Sequence, residues 1–354
     1  MSFRRQRVII MTPFYMLFEF FLLKYLFMLF HPLGNLELLF ITIIIGIINM
    51  IPMFFEEKKS RFVTRLLAEI SAIWMWVSLM FLIDIVVIYA ADYFFNINLS
   101  FLLLIVPLSG IYAYYKAHKL VINEKIICLD NLNSDVNIAH LSDVHFGAVR
   151  HEEIINQLRD NLMEVSKTCD VAIISGDLAD GSSIVDEDDF IPLKDVEMPI
   201  IFTPGNHDYY LGIENVIKAC KKAGIIVLDN ESLEMGDLNI YGLSYSFGDI
   251  EMPSLEELKS QVKTDKTNII IYHVPYDWSE HSKMGFDIQL SGHTHGGQFY
   301  PVKWLSELIF KYNIGLFKDN LGHYLHVTTG VGSMDQPLRW GTDSEVVILK
   351  LRKN

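Results

Sequence analysis

IIFTPGNHD, residues 200–208, is a short apolar run that breaks into Gly205-Asn206-His207-Asp208. It reads as a buried strand over 200–203 whose carboxyl end delivers a polar cluster. The same pattern recurs in VNIAHLSDVH (136–145), VAIISGD (171–177), NIIIYH (268–273) and DIQLSGHTH (287–295). Strands are thus predicted at 136–141, 171–175, 200–203, 268–272 and 287–290, with further ones at 238–243, 324–328 and 345–351. Helical periodicity falls between them at 152–166, 212–223 and 255–263, so the region predicts a layered α/β fold. In open α/β sheets ligands collect beyond the carboxyl ends of the strands, and all five clusters can therefore face one cavity.

The clusters combine the carboxylates of Asp143 and Asp177, the amide of Asn206 and the imidazoles of His145, His273, His293 and His295. Anionic oxygens hold two cations against their mutual repulsion, while neutral imidazoles fix geometry without quenching Lewis acidity. A structural zinc closes its shell with four ligands, usually thiolates, and this set is too large and too rich in oxygen for that. His118, His140, His151, His281, His323 and His326 lack such placement and read as surface or packing residues. His140 is kept as a supporting group because it precedes the first cluster.

Asp143-x-His145, Gly176-Asp177, Gly205-Asn206-His207-Asp208, His273 and Gly292-His293-x-His295, in this order, resemble the complete signature of the calcineurin-like metallophosphoesterase superfamily, across about 136–351. The resemblance implies a four-layer α/β/β/α sandwich with two central mixed sheets. It implies Asp143, His145 and His295 on one metal, Asn206, His273 and His293 on the other, and Asp177 bridging them. It further implies that His207 protonates the leaving oxygen or stabilises the transition state, with Asp208 orienting it. The cofactors expected are two divalent metal ions, and mixed nitrogen and oxygen ligands suit Mn, Fe, Zn or Co. Gly296-Gly297-Gln298, Asn313-Ile314-Gly315-Leu316, Gly330-Val331-Gly332 and Pro337-Leu338-Arg339 resemble a bacterial and archaeal subgroup fused to membrane segments, similar to lipid-processing members.

Upstream, the texture is different. The chain is 51% hydrophobic, and the excess lies in four apolar stretches at 8–30, 36–55, 66–90 and 97–115, each near the ~20 residues that cross a bilayer core. The division expected is a four-helix transmembrane anchor over 1–118 and an α/β domain over 119–354. Arg4, Arg5 and Arg7 precede the first stretch, Lys58, Lys59, Arg61 and Arg65 lie between the second and third, and Lys116, Lys119 and Lys125 follow the fourth. The segments around 31–35 and 91–96 carry no Lys or Arg, so both termini and the α/β domain are expected on the cytoplasmic side. Three cysteines without a CxxC fit a reducing compartment. Asp84, inside the third stretch, is the ionisable residue hardest to explain there.

Of the chain's 29 basic and 43 acidic residues, 21 and 36 fall after residue 115, a net charge of −15. So acidic a domain, without a run of Lys or Arg, argues against nucleic acid as a partner. Three function classes stay open: a hydrolase of a membrane-associated, lipid-linked phosphoester or pyrophosphate; a tethered phosphodiesterase of a soluble molecule such as a cyclic nucleotide; and a non-catalytic membrane scaffold. Near the end, Trp304, Leu305, Leu308, Ile309 and Tyr312 share one face of a short helix by their i, i+1, i+4, i+5, i+8 spacing. That face either packs on its own domain or leans on the bilayer, with Lys303 and Lys311 meeting anionic lipid.

Overall fold

A computed structural model describes residues 3–248 and 251–354, with side chains of the first helix from residue 8 onward; the side chains of Arg4, Arg5 and Arg7 lie outside it. The N-terminal region forms α1 (Phe3–Met28), α2 (Asn35–Glu56), α3 (Phe62–Phe95) and α4 (Ile105–Ala117), the last preceded by a 3-10 turn at Ser100–Leu104. Four segments, Val8–Met28, Asn35–Glu56, Phe62–Phe95 and Ser100–Ala117, are long and apolar enough to cross a membrane. The third runs past both limits expected for it, because no Gly or Pro interrupts 62–95. It stops at Asn96, whose left-handed backbone closes the last turn.

The chain then runs through β1 (Leu120–Leu129), β2 (Val136–Leu141), α5 (His151–Val165), β3 (Val171–Ile174), β4 (Ile200–Phe202), α6 (Ile213–Lys222), β5 (Ile226–Val227), β6 (Glu231–Met235) and β7 (Leu238–Leu243). It continues with α7 (Leu255–Ser260), β8 (Thr267–Tyr272), α8 (Trp278–Met284), β9 (Ile288–Ser291), α9 (Val302–Ile309), β10 (Gly315–Lys318), β11 (Tyr324–Val327) and β12 (Ser344–Lys353). Two mixed sheets result, ordered β1-β12-β2-β3-β4-β5 and β10-β11-β9-β8-β7-β6.

Period-2 alternation sorts the side chains into layers. Ile138, Val171, Ile173 and Ile201 of the first sheet meet Ile240, Ile269, Ile271 and Leu290 of the second. Residues Ala172 and Ile174, one step out of phase, face Leu158 and Leu162 of α5 and Val216 and Cys220 of α6. Tyr241, Leu243, Ile270 and Tyr272 turn outward to Leu258 of α7 and Phe286. The architecture is α/β/β/α.

β1 was not expected. It pairs in parallel with β12 from Leu120↔Ser344 to Leu129↔Lys353, so its partner lies more than 200 residues away and no local pattern announces it. Through β1 the N-terminal helices join the sheet almost without a linker.

The N-terminal helices and the α/β region share a packed boundary. The carbonyl of Ala117 accepts hydrogen bonds from Arg150 Nη1 (2.7 Å) and Ser344 Oγ (3.0 Å), and Lys116 pairs with Asp343. Trp76 meets Phe299 edge to face at 6.3 Å, within a cluster that includes Val106, Ala113 and Leu338. Glu56, the last residue of α2, is fully buried; its carboxylate accepts from Ser183 Oγ (3.1 Å), Arg61 N–H (3.1 Å) and Thr64 Oγ, and its carbonyl accepts from Ile184 N–H (3.2 Å). Replacing Glu56 with Ala removes the acceptor of the Ser183, Arg61 and Thr64 donors and leaves the bond from Ile184 N–H in place, at a cost of roughly 1–3 kcal/mol. A lowered thermal midpoint in detergent, without loss of the secondary-structure signal before unfolding, is the expected result.

Candidate metal centre

β2, β3 and β4 lie side by side and in parallel, as do β8 and β9 in the other sheet. Parallel strands finish at one edge, so their terminal clusters are delivered to a common cleft. Asp143, His145, Asp177, His293 and His295 all have φ between 48° and 70°. Left-handed backbone is uncommon outside glycine, costs on the order of 1 kcal/mol or more per residue, and concentrates at functional sites. Glycine permits the final approach: a Cβ on Gly176 would meet His273 Nδ1 at 2.4 Å, and one on Gly205 would meet Asp177 Oδ1 at 2.4 Å.

Three overlapping groups have their nitrogen and oxygen atoms within 4.8 Å of one another: Asp143, His145 and His295; His145, Asp177 and His207; and Asp177, His273 and His293. Asp177 Oδ2 is 3.0 Å from His273 Nε2 and 4.0 Å from His145 Nε2, while its Oδ1 accepts from His207 N–H at 2.8 Å. Asp143 Oδ1 is 3.3 Å from His295 Nε2 and its Oδ2 accepts from His293 N–H at 2.9 Å. Asp143 Oδ1 and Asn206 Oδ1 are buried without a hydrogen-bond partner among the described residues. Buried, unsatisfied oxygens beside clustered imidazoles are the donor set that a divalent cation satisfies, so these residues fit the metal that the sequence implies.

Charge is unevenly divided in the cleft. Burial penalises ionised Asp177, but His273 and His207 outweigh it and hold the carboxyl below its usual range. Burial likewise opposes a proton on His273, yet Asp177 and Asp143 raise its pKa to about 9. Burial and the His273 charge push His293 down to about 4, and burial brings His295 to about 4 against the pull of Asp143.

The surrounding contacts correct part of the expectation from sequence. Asp208 does not touch the His207 ring: its oxygens accept from the backbone N–H groups of Asp177 (2.9 Å), Ala179 (2.8 Å) and Gly205 (2.8 Å). It braces the two loops, since a carboxylate two bonds from its backbone reaches neighbouring amides more easily than an adjacent ring. Burial, with the Asp177 charge adding, raises its pKa to about 7. His207 is instead held through Nδ1, 2.9 Å from the Asp180 carbonyl. His140 lies behind the cleft with Nε2 2.8 Å from Ser175 Oγ, and the Ser175 carbonyl lies 2.8 Å from His273 Nδ1. His326, read as surface or packing, is buried at 2.7 Å from His140 Nδ1.

Arg339 is a further residue of the site, and no local sequence pattern marks its role. Fully buried, it donates to the carbonyls of Thr329, Gly332 and Asp343 and lies 3.3 Å from His295 Nδ1. Its one sequence signal is the Pro337-Leu338-Arg339 tail. An aromatic wall of Tyr245, Phe247 and Phe310 around His293, at 5.9–6.0 Å between ring centres, also went unread because its members come from distant segments.

Two mixed sheets with His/Asp groups at the carboxyl ends of parallel strands define a metal-binding α/β/β/α domain. The family model for calcineurin-like phosphoesterase matches residues 136–297. An uncharacterized metallophosphoesterase of Aquifex aeolicus is 30% identical across 70% of this chain and 98% of its own length. Another, of Helicobacter pylori strain J99, is 29% identical across 65% of this chain, and the match spans 63% of that protein, just under two thirds. A transmembrane protein with metallophosphoesterase domain from Danio rerio is 25% identical across 63% of this chain and 54% of its own. This chain belongs to the calcineurin-like metallophosphoesterase family.

A cation ligated by His273 must displace the proton that the carboxylates stabilise there. Apparent affinity for Mn²⁺ should therefore rise with pH, by about tenfold per unit between about pH 6 and about pH 8, when one proton is released. Calorimetric titration in buffers of different ionisation enthalpy reads both quantities. Affinity independent of pH would contradict a protonated His273 in the metal-free protein.

Proposed function

We propose that this chain is a membrane-anchored, dinuclear metal-dependent hydrolase of a phosphodiester, phosphomonoester or pyrophosphate, and that its substrate is membrane-associated. The observation that carries the reading is the position of Asp177, which belongs both to the group with His145 and to the group with His273 and His293. In this reading Asp143, His145 and His295 hold one ion, Asn206, His273 and His293 hold the other, and Asp177 is shared. Divalent ions held there would supply a water of lowered pKa and would neutralise charge on the phosphoryl oxygens.

The protein's own part is proton transfer and orientation. His207 keeps its Nδ1 on the Asp180 carbonyl, which fixes the ring and leaves Nε2 to protonate the leaving oxygen. Asp208 holds the Asp177 loop by its backbone and so sets the shared carboxylate in place. Arg339 ties the loop at 329–332 beside His295.

We place residues 1–118 in the membrane as a multi-pass anchor and residues 119–354 in the cytoplasm. Ten Lys and Arg residues on the proposed inner segments, against none in the two outer ones, support that orientation.

Hydrolysis of bis-p-nitrophenyl phosphate should stop on chelation and return with Mn²⁺; full activity in a metal-free preparation would refute the reading. Asp177→Asn should lose metal and activity together, whereas His207→Ala should retain metal and lose roughly 10²–10⁴-fold in rate. Metal analysis of both variants separates the roles, and loss of metal from His207→Ala removes the one assigned to it. For topology, a cysteine placed at Asn96 should react with a membrane-impermeant reagent in intact cells, and one at Lys59 should not. The reverse labelling pattern inverts the orientation.

A further inference from the structure

The helix after the last metal-proximal histidine turns an apolar face away from its own domain. Trp304 is 60% exposed, Leu305 55%, Leu308 84% and Ile309 59%. The opposite face is anchored by buried Ser306, whose hydroxyl donates to Asn313 Oδ1 at 2.7 Å. Tyr312, expected on the apolar face, lies beyond the helix and packs on Trp278 and Phe317 at 5.1 and 5.0 Å. Of the two readings of this face, packing on the domain is therefore the one the geometry does not favour.

What lies beside the face is the transmembrane bundle. Phe299 and Val302, at the foot of α9, pack with Trp76, Val106 and Ala113 of α3 and α4. Depth follows from helix length. α3 has 34 residues, and at ~1.5 Å per residue it exceeds the ~30 Å of a bilayer's hydrocarbon. Its start lies at the α/β domain, where Arg65 pairs with Glu152 of α5 and Thr64 bonds Glu56, which itself accepts from Ser183, so the excess projects on that side. The ~20 residues that span the core, counted back from Phe95, end at Trp76. By that count Trp76 falls at the inner boundary of the hydrocarbon, and its ring contact with Phe299 sets the start of α9 beside it. Lys311, exposed just past α9, is placed for anionic head groups.

The far end of α9 leads to the metal centre. Phe310, directly after Ile309, stacks with Tyr276 at 6.0 Å and meets the His293 ring at 5.9 Å. Phe247 closes on His293 from another side at 5.9 Å. Apolar surface is thus continuous from the exposed helix face, over Phe310 and Tyr276, to an imidazole of the Asp177 group.

We propose that α9 is embedded in the inner interface of the bilayer and that the lane over Phe310, Tyr276 and Phe247 carries the apolar chain of a lipid-linked phosphoester from bilayer to metal centre. This rests on the membrane-anchored hydrolase reading above and names its substrate class, a phosphoester with a long acyl or alkyl chain. A soluble phosphodiester makes no use of the lane.

The full chain in nanodiscs of phosphatidylcholine and phosphatidylglycerol tests both halves. A nitroxide attached at Leu308→Cys should be broadened by oxygen and protected from a water-soluble nickel chelate. Greater access to the chelate than to oxygen places the face in water and overturns the proposal. Trp304→Ser and Leu308→Ser should lower kcat/KM about tenfold or more for hexadecyl p-nitrophenyl phosphate in the disc and leave bis-p-nitrophenyl phosphate within about twofold. Equal losses on the two esters would overturn the lane. A wild-type protein that turns over neither ester defeats the hydrolase reading and with it the lane, while the nitroxide depth still decides where α9 sits.

Discussion

Asp143 and Asp177 are buried carboxylates, and the rest of the cleft is arranged around keeping them charged there. An isolated buried carboxylate is costly enough to neutralise itself, so it persists only where positive partners or donors surround it. His145, His273 and His295 crowd these two, and the backbone N–H groups of His207 and His293 point at their second oxygens. Bringing that many groups together demands strands that end at one edge, glycine where Cβ atoms would collide, and left-handed backbone at five of the side chains involved. Asp208, His140 and Arg339 add a surrounding layer that fixes the loops rather than entering the cleft.

The same loops meet the apolar N-terminal helices. The segment after Asp177 holds the His207 ring through the Asp180 carbonyl, and three residues later Ser183 and Ile184 bond to Glu56 of α2. On the other flank Arg339, beside His295, donates its backbone N–H to the Ala113 carbonyl of α4 at 2.9 Å. Both flanks of the cleft are therefore built partly on residues of the N-terminal helices. A flexible tether does not describe this junction, because α4 passes into β1 within a few residues and β1 is paired along its whole length.

Much of the site was legible because its chemistry is carried by local words. Gly-Asn-His-Asp and Gly-His-x-His are informative within four residues, and each follows a recognisable apolar strand. What stayed hidden was carried by contacts between distant segments. The Asp208 carboxylate was expected on His207, its sequence neighbour, yet it serves amides around thirty residues upstream as well as Gly205. His326 looked unremarkable until β11 brought it to His140, and Phe247, Tyr276 and Phe310 became one surface only through folding.

By itself the sequence determined the four apolar helices, the alternating α/β region after them, and the identity of the polar residues at the strand ends. These depend on periodicity and composition, which act over a few residues. Only the tertiary structure decided which of those residues cluster around Asp143 and Asp177, that a backbone carbonyl holds the His207 ring, that β1 pairs beside the last strand, and that α9 turns its apolar face outward. Those outcomes depend on the packing of two sheets and a helical bundle against one another, and burial at a given position is a property of the assembled layers rather than of the segment that occupies it.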